Sequence, residues 1–254
     1  MSLIVIENRG KLRIIRLNNA KRRNALSPEG YLDLTKALQD ADKDDSVSVV
    51  AITGTGNFYS SGNDIKAAMM SSATDEERGK VLGDLIRSFY TCRKILIGVV
   101  NGPAIGIAAT TLALCDIIYA EENAYFYTPF SALGLCAEGC SSYTFPKILG
   151  RSKASEMLLL NYKLTAQEAL RFNFVSSIFT IDKIDSEVWA KIDEFARLPQ
   201  QSLMITKSLM QKFDIDQLDA VNNAELEALK ERFTSEDCMN AVMEFLQKKE
   251  RSSL

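Results

Sequence analysis

Histidine is absent from this 254-residue chain, and its absence removes several kinds of chemistry together. No Ser-His-Asp or Cys-His couple can form and no imidazole can hold a metal, so a general base has to be a carboxylate, a lysine, a tyrosine or a thiolate. The five cysteines, Cys92, Cys115, Cys136, Cys140 and Cys238, are an odd set without zinc-ligand spacing, so no metal site is expected. Cys136 and Cys140 bracket Glu138 and read as a reduced intracellular pair rather than a redox couple. No run of about eighteen or more apolar residues occurs, so no membrane span is expected, and the first residues alternate like a strand rather than a signal peptide. The basic balance of a nucleic-acid binder is also missing, since the net charge is −3, so no nucleic-acid partner is expected. What is present, 46% hydrophobic and 25% charged residues, is the composition of a soluble globular protein, not a disordered chain or a disulfide scaffold.

Periodicity places two short strands at 3–7 and 11–17 around Asn8-Arg9-Gly10, a hairpin signal. Ser27-Pro28-Glu29 opens a helix with a capping hydroxyl, a proline at the first position and an early acid. Residues 46–53 read as a buried strand, 75–93 as a helix, 95–100 as another apolar strand and 106–114 as a short, nearly wholly apolar helix. Strands follow at 115–120 and 124–127, and from Cys140 the pattern is almost entirely helical, with tail helices at 203–210 and 220–233. The expected organisation is an α/β core over residues 1–195, carrying the site, and a helical region over 196–254. The apolar stripes of the tail helices are covered by core packing or by a subunit contact.

Two glycine-bearing segments, FYSSGNDI (58–65) and NGPAIGIAATTLALCD (101–116), each look like a strand running into a turn that opens a helix. Two such turns can aim two main-chain N–H groups at one oxygen, which is an oxyanion hole. Without histidine to activate Ser60 or Ser61, we expect Ser61 to act through its N–H, with Gly62 allowing close approach. The alternative is a plain turn in which Asp64 caps the next helix. In the second segment Gly102 and Gly106 let the chain turn tightly and leave the Ile107 N–H at a helix start. The spacing is not that of a dinucleotide fingerprint. Lys21-Arg22-Arg23 is either a solvated turn or a phosphate contact. Between 126 and 146 the only carboxylate is Glu138, set among apolar and small neighbours. Burial there would raise its pKa and suit it to accept a proton; the alternative is that it caps the helix beginning near Cys140.

On these segments the chain resembles the crotonase (enoyl-CoA hydratase/isomerase) superfamily over essentially its full length. TPFSALGLCAEGCSSYTFPKILG (128–150) is similar to the peroxisomal-type Δ3,Δ2-enoyl-CoA isomerase branch. The resemblance implies an α/β fold built as a spiral of ββα turns with a C-terminal helical trimerisation region, a homotrimer, and an acyl-CoA ligand with no separate cofactor. It places the oxyanion N–H groups at Ser61 and Ile107 and the catalytic glutamate at Glu138. The two hydratase glutamates fall on Thr110 and Phe130, neither of which is a carboxylate. Coenzyme A contacts are implied at Arg22, Ala25 and Leu26, along the turn of Ser60, Ser61, Gly62, Asn63, Asp64 and Ile65, and at Gly106. The implied reaction is conversion of 3-enoyl-CoA to trans-2-enoyl-CoA by one glutamate. Other readings are a hydratase or thioesterase of the same superfamily, or an idle acyl-CoA-binding member. Ala137 stands where the isomerase branch usually has a proline, which predicts a looser loop. The terminal Ser252-Ser253-Leu254 loosely matches a peroxisomal address, though lacking its basic residue; the mitochondrion is the other compartment.

Overall fold

The structure, a computed structural model, describes residues 2–251; the tripeptide at 252–254 lies outside them. The expected hairpin is present as β1 (Ile4–Arg9) and β2 (Leu12–Leu17). Helix α1 (Pro28–Lys43) begins where Ser27 accepts a hydrogen bond from the Gly30 N–H, with Pro28 at its first position. Strand β3 (Val49–Gly54) is buried at every position. Helix α2 (Ile65–Met70), the helix that the turn of 58–65 was expected to open, is capped by Asp64 through the Ala67 N–H, and α3 (Asp75–Tyr90) by a Thr74/Glu77 capping box. Helix α3 therefore ends at Tyr90 instead of the expected 93.

Strands β4 (Ile95–Val100) and β5 (Ala104–Ile105) lead into α4 (Ile107–Thr110). The single apolar helix expected over 106–114 is instead this one turn of α-helix and a 3-10 turn, Thr111–Leu114. Strands β6 (Ile117–Glu121) and β7 (Tyr125–Tyr127) follow, then α5 (Ser141–Leu149) and α6 (Arg151–Leu160). The region after Cys140 is less uniformly helical than expected. Two short strands, β8 (Leu164–Thr165) and β9 (Ser177–Phe179), flank α7 (Ala166–Arg171). A π-helical turn, Ile184–Trp189, runs into α8 (Ala190–Ala196), and α9 (Gln200–Gln211), α10 (Ile215–Phe233) and α11 (Glu236–Arg251) complete the chain.

The main sheet has the order β1-β2-β3-β4-β6-β9, antiparallel between β1 and β2 and parallel thereafter. Side chains alternate between two faces, so the sheet carries two cores. Ile15, Val50, Ile52, Leu96 and Val100 pack with α1 and α3, while Leu12, Ile14, Val49, Ala51, Ile97 and Val99 pack with Trp189 and Ile192. Coverage on both faces explains why β3 and β4 read as unbroken apolar runs. A smaller sheet, β5-β7-β8, stands beside the first.

Parallel strands send their following loops out of one edge, which is where α/β sheets form their crevices. The loops after β3 and β4 emerge there side by side. Ser60 donates its N–H to the Pro103 carbonyl (3.3 Å) and accepts from the Ile105 N–H (3.0 Å), a short parallel bridge that locks the two loops together.

Candidate active site

The first turn is held from behind by two asparagines. The Asn24 amide donates to the carbonyls of Thr55, Phe58 and Tyr59 at 2.8 to 3.2 Å. Asn101 donates to Gly56 (2.7 Å) and accepts from the Gly54 N–H (2.9 Å). With the loop pinned, each amide of 60–64 has a definite direction. The Ser61 N–H donates to the Arg23 carbonyl (2.9 Å) and the Gly62 N–H to Ser60 Oγ (3.0 Å). Leu26 N–H donates to Gly62 O and Asp64 N–H to Leu26 O, both at 2.8 Å. Asn63 sits between those two bonds with its own N–H facing the other way, and it has no protein acceptor among the described residues. The amide expected to be free, that of Ser61, is thus engaged within the protein, and the free one in this turn belongs to Asn63. Gly62 makes this possible: at φ +79, a Cβ there would run into the Ile105 carbonyl.

In the second turn Gly106 donates its N–H to the Tyr127 carbonyl (2.8 Å), and its carbonyl accepts from the N–H groups of Ala109 and Thr110. The Ile107 N–H opens α4 without an acceptor among the described residues. Because Gly62 lies against Ile105 and Gly106, the turns bearing the Asn63 and Ile107 amides are in direct contact.

Glu138 approaches the same place. Its side chain is 6% exposed, Oε1 accepts from the Thr110 hydroxyl (3.2 Å), and Oε2 is buried with no protein partner. Thr110 ends α4, the helix that Ile107 begins. The loop after the acid turns sharply, with Gly139 at φ +70 and Cys140 at φ +59, and a Cβ on Gly139 would collide with Thr110 Oγ1. Glu138 does not cap α5; its carbonyl accepts from Ser141 Oγ (2.7 Å) while the carboxyl points to Thr110. The cap comes from Glu225 on α10, which accepts from the N–H groups of Cys140 (2.7 Å) and Ser142 (2.9 Å). Burial pushes the Glu138 carboxyl up to about 8; the nearby Glu225 carboxylate adds to the effect and the Thr110 hydroxyl opposes it.

Of the residues expected to touch coenzyme A, Ser60 is fully buried, its hydroxyl donating to the Asn24 carbonyl (2.8 Å), and the others form one strip. Arg22, exposed at its tip, pairs with Asp64 at 2.5 Å, Ala25 and Leu26 lie along the turn of 60–65, Ile65 opens α2, and Gly106 precedes α4. Arg23 lies over the Phe58 ring at 5.1 Å. Three roles escaped the sequence: the Asn63 amide, the Thr110 hydroxyl as partner of the acid, and Glu225. Gly62 was the available signal for the first, because a left-handed residue redirects the amide that follows it. A surface concavity of about 260 Å³ lined by Tyr90, Arg93, Met204 and Lys207, among others, shares no residue with this group.

The two-faced sheet, the layered turns at its edge and the trailing helices are the crotonase fold. The chain belongs to the enoyl-CoA hydratase/isomerase family, whose profile matches residues 7–252. It is 42% identical to human enoyl-CoA delta isomerase 2 over 98% of this chain and 64% of that protein. It is 38% identical to the mouse peroxisomal enoyl-CoA delta isomerase 3, over 99% of this chain and 80% of that protein. The chain therefore spans a little under two thirds of the length of the first of these relatives. Among solved structures, an enoyl-CoA hydratase/isomerase from Pseudoalteromonas atlantica superposes with a TM-score of 0.91 at 27% identity, covering 97% of this chain and 98% of that one.

Proposed function

We propose that the protein is a Δ3,Δ2-enoyl-CoA isomerase that moves the double bond of a 3-enoyl-CoA to give trans-2-enoyl-CoA in the β-oxidation of unsaturated fatty acids. The observation that carries this reading is the buried Glu138 carboxyl, held by Thr110 on the helix that the free Ile107 amide opens, with its Oε2 unpartnered. The thioester oxygen sits on the N–H groups of Asn63 and Ile107. Ionised Glu138 takes a proton from C2, the electron pair spreads over the dienolate, and the same carboxyl returns the proton at C4. The proton is moved rather than consumed, so one acid suffices and no cofactor enters; coenzyme A is part of the substrate. One oxyanion donor contributes about 3 kcal/mol to such a transition state, so two account for much of the barrier lowering.

Hydration needs a base for water and an acid for the α-carbon, and the two positions where the resemblance implies those glutamates hold Thr110, whose hydroxyl is bonded to Glu138, and Phe130. The test is conversion of 3-enoyl-CoA by the wild-type protein and by Glu138→Gln. Loss of the base should cost on the order of 10³ in kcat, whereas a variant within threefold of the wild type would remove Glu138 from its role. Acyl-CoA binding without turnover by the wild type would leave the protein a binder only.

The same reading includes a homotrimer, supported by Ile205, Leu209, Met210, Phe213 and Met243, which are exposed on or beside the last three helices. It keeps the division between a core at 1–195 and a helical region at 196–254. It places the protein in the peroxisome, with the mitochondrion as the other compartment. Sedimentation and organelle fractionation test these parts.

A further inference from the structure

Glu225 lies 85 residues from the Cys140 amide it accepts from, on a helix that contributes nothing else to the reaction proposed above. It is nevertheless 6% exposed, and a carboxylate is not kept in the interior without partners. Both its oxygens are used: Oε2 accepts from Cys140 N–H and Oε1 from Ser142 N–H. Those donors are the unsatisfied amides at the start of α5, where the capping position is occupied by Cys140, whose side chain makes no cap bond. A cysteine at φ +59 is also strained and persists only where the surroundings over-determine it. The segment so held, 138–140, is the one that presents Glu138 to Thr110.

Resting on the isomerase reading, the geometry points to Glu225 as a positioning residue for Glu138: from α10 it caps α5, fixes the left-handed turn at 139–140, and sets a negative charge behind the acid. Its two functions are separable in principle. As a hydrogen-bond acceptor it holds the loop in place; as a charge it makes Glu138 harder to ionise and, once ionised, a stronger base. Burial pushes the Glu225 carboxyl itself up, and the Cys140 and Ser142 N–H groups hold it down. Tyr31 on α1, Cys136 and Cys140 on the loop, and Asp219 on α10 are neutral or acidic, and Arg232 acts on Cys136. The nearby charge acting on Glu138 is that of Glu225. The C-terminal helices thereby take part in the chemistry without touching the substrate.

The experiment uses Glu225→Gln, which keeps the shape and one acceptor but removes the charge. The protonated-carboxyl infrared band of Glu138, assigned as the one missing from Glu138→Gln, is titrated in the wild type and in Glu225→Gln. The midpoint should fall by about one pH unit in the variant. The acidic limb of kcat for 3-enoyl-CoA should move the same way, with kcat about tenfold lower and KM changed by less than about threefold. An unmoved midpoint and limb in a folded variant would overturn the proposal. If the variant does not fold, Glu225→Asp decides, because it keeps the charge but shortens the reach to the Cys140 and Ser142 amides: kcat should fall severalfold with the Glu138 midpoint little changed, and wild-type kcat in that variant overturns the positioning. The infrared titration needs no turnover, so failure of the isomerase reading and failure of this one remain distinguishable.

Discussion

Replacing Glu138 by glutamine should change how stability depends on pH, in a direction set chiefly by burial. The carboxyl titrates near 4.5 when solvated and is pushed up to about 8 in the folded protein, chiefly by burial and then by Glu225. The folded state thus holds this proton more tightly than the unfolded state does. The resulting stability is fully present below about pH 4.5 and is lost as pH rises through about 8. At about 1.36 kcal/mol per tenfold change in proton affinity, the loss between pH 5 and pH 9 approaches about 4 kcal/mol, an upper figure because water penetration and relaxation soften burial. Glutamine has no proton to lose, so the stability of Glu138→Gln minus that of the wild type should rise by several kcal/mol across this range. Urea denaturation of both proteins at a series of pH values measures the difference directly, and subtraction removes most of what the other titrating groups contribute. Parallel pH profiles for the two proteins would mean that Glu138 is solvated, and the proton-shuttle argument would fall with it.

Activity gives the same pKa from another side: kcat/KM for a 3-enoyl-CoA should climb with pH through about 8, because the free protein must carry Glu138 ionised to begin. Thr110→Val removes the donor that holds Glu138 down, so that limb should move to higher pH in the same assay. Gly139→Ala puts a Cβ against Thr110 at a positive φ; it should cost about 1–3 kcal/mol in urea denaturation and most of the turnover. Away from the site, Lys207 is 3% exposed and bonds the Asp116 carboxylate (2.6 Å) and the Lys94 carbonyl (2.8 Å). Lys207→Met would leave Asp116 without its cation and should cost about 3–5 kcal/mol in the same measurement.

What could be read from the sequence was whatever is decided locally. Ser27-Pro28-Glu29 marks α1, the apolar runs at β3 and β4 mark buried strands, and Glu138 stands out as the one carboxylate between 126 and 146. Strands of two or three residues such as β8 and β9 are too short to show a period, and they exist because β7 and β6 offer edges to pair with. The single helix expected over 106–114 fails for a similar reason, since a wholly apolar run shows no period that could mark the change to a 3-10 turn at Thr111. Which amide of the 60–64 turn is left without a partner was beyond local reasoning. It is settled by Arg23 and Leu26, which reach across from another segment and take up the surrounding bonds. Glu225 had no local signal of any kind.

Ala137 brings these strands of reasoning together. A proline before the acid would stiffen the loop from its N-terminal side by fixing a φ angle, and its absence predicts a loose carboxyl. The loop is instead held from its C-terminal side. Gly139 rests on Thr110, the Glu138 carbonyl accepts from Ser141, and the Cys140 and Ser142 amides are tied to Glu225. Stiffness supplied by hydrogen bonds to a distant helix differs from stiffness supplied by a ring in one testable respect: it depends on the state of that helix. Restoring the proline, Ala137→Pro, should therefore matter little in the intact protein and should recover part of the turnover lost in Glu225→Gln. A proline that rescues nothing would show that Glu225 acts on Glu138 through its charge and not through the loop.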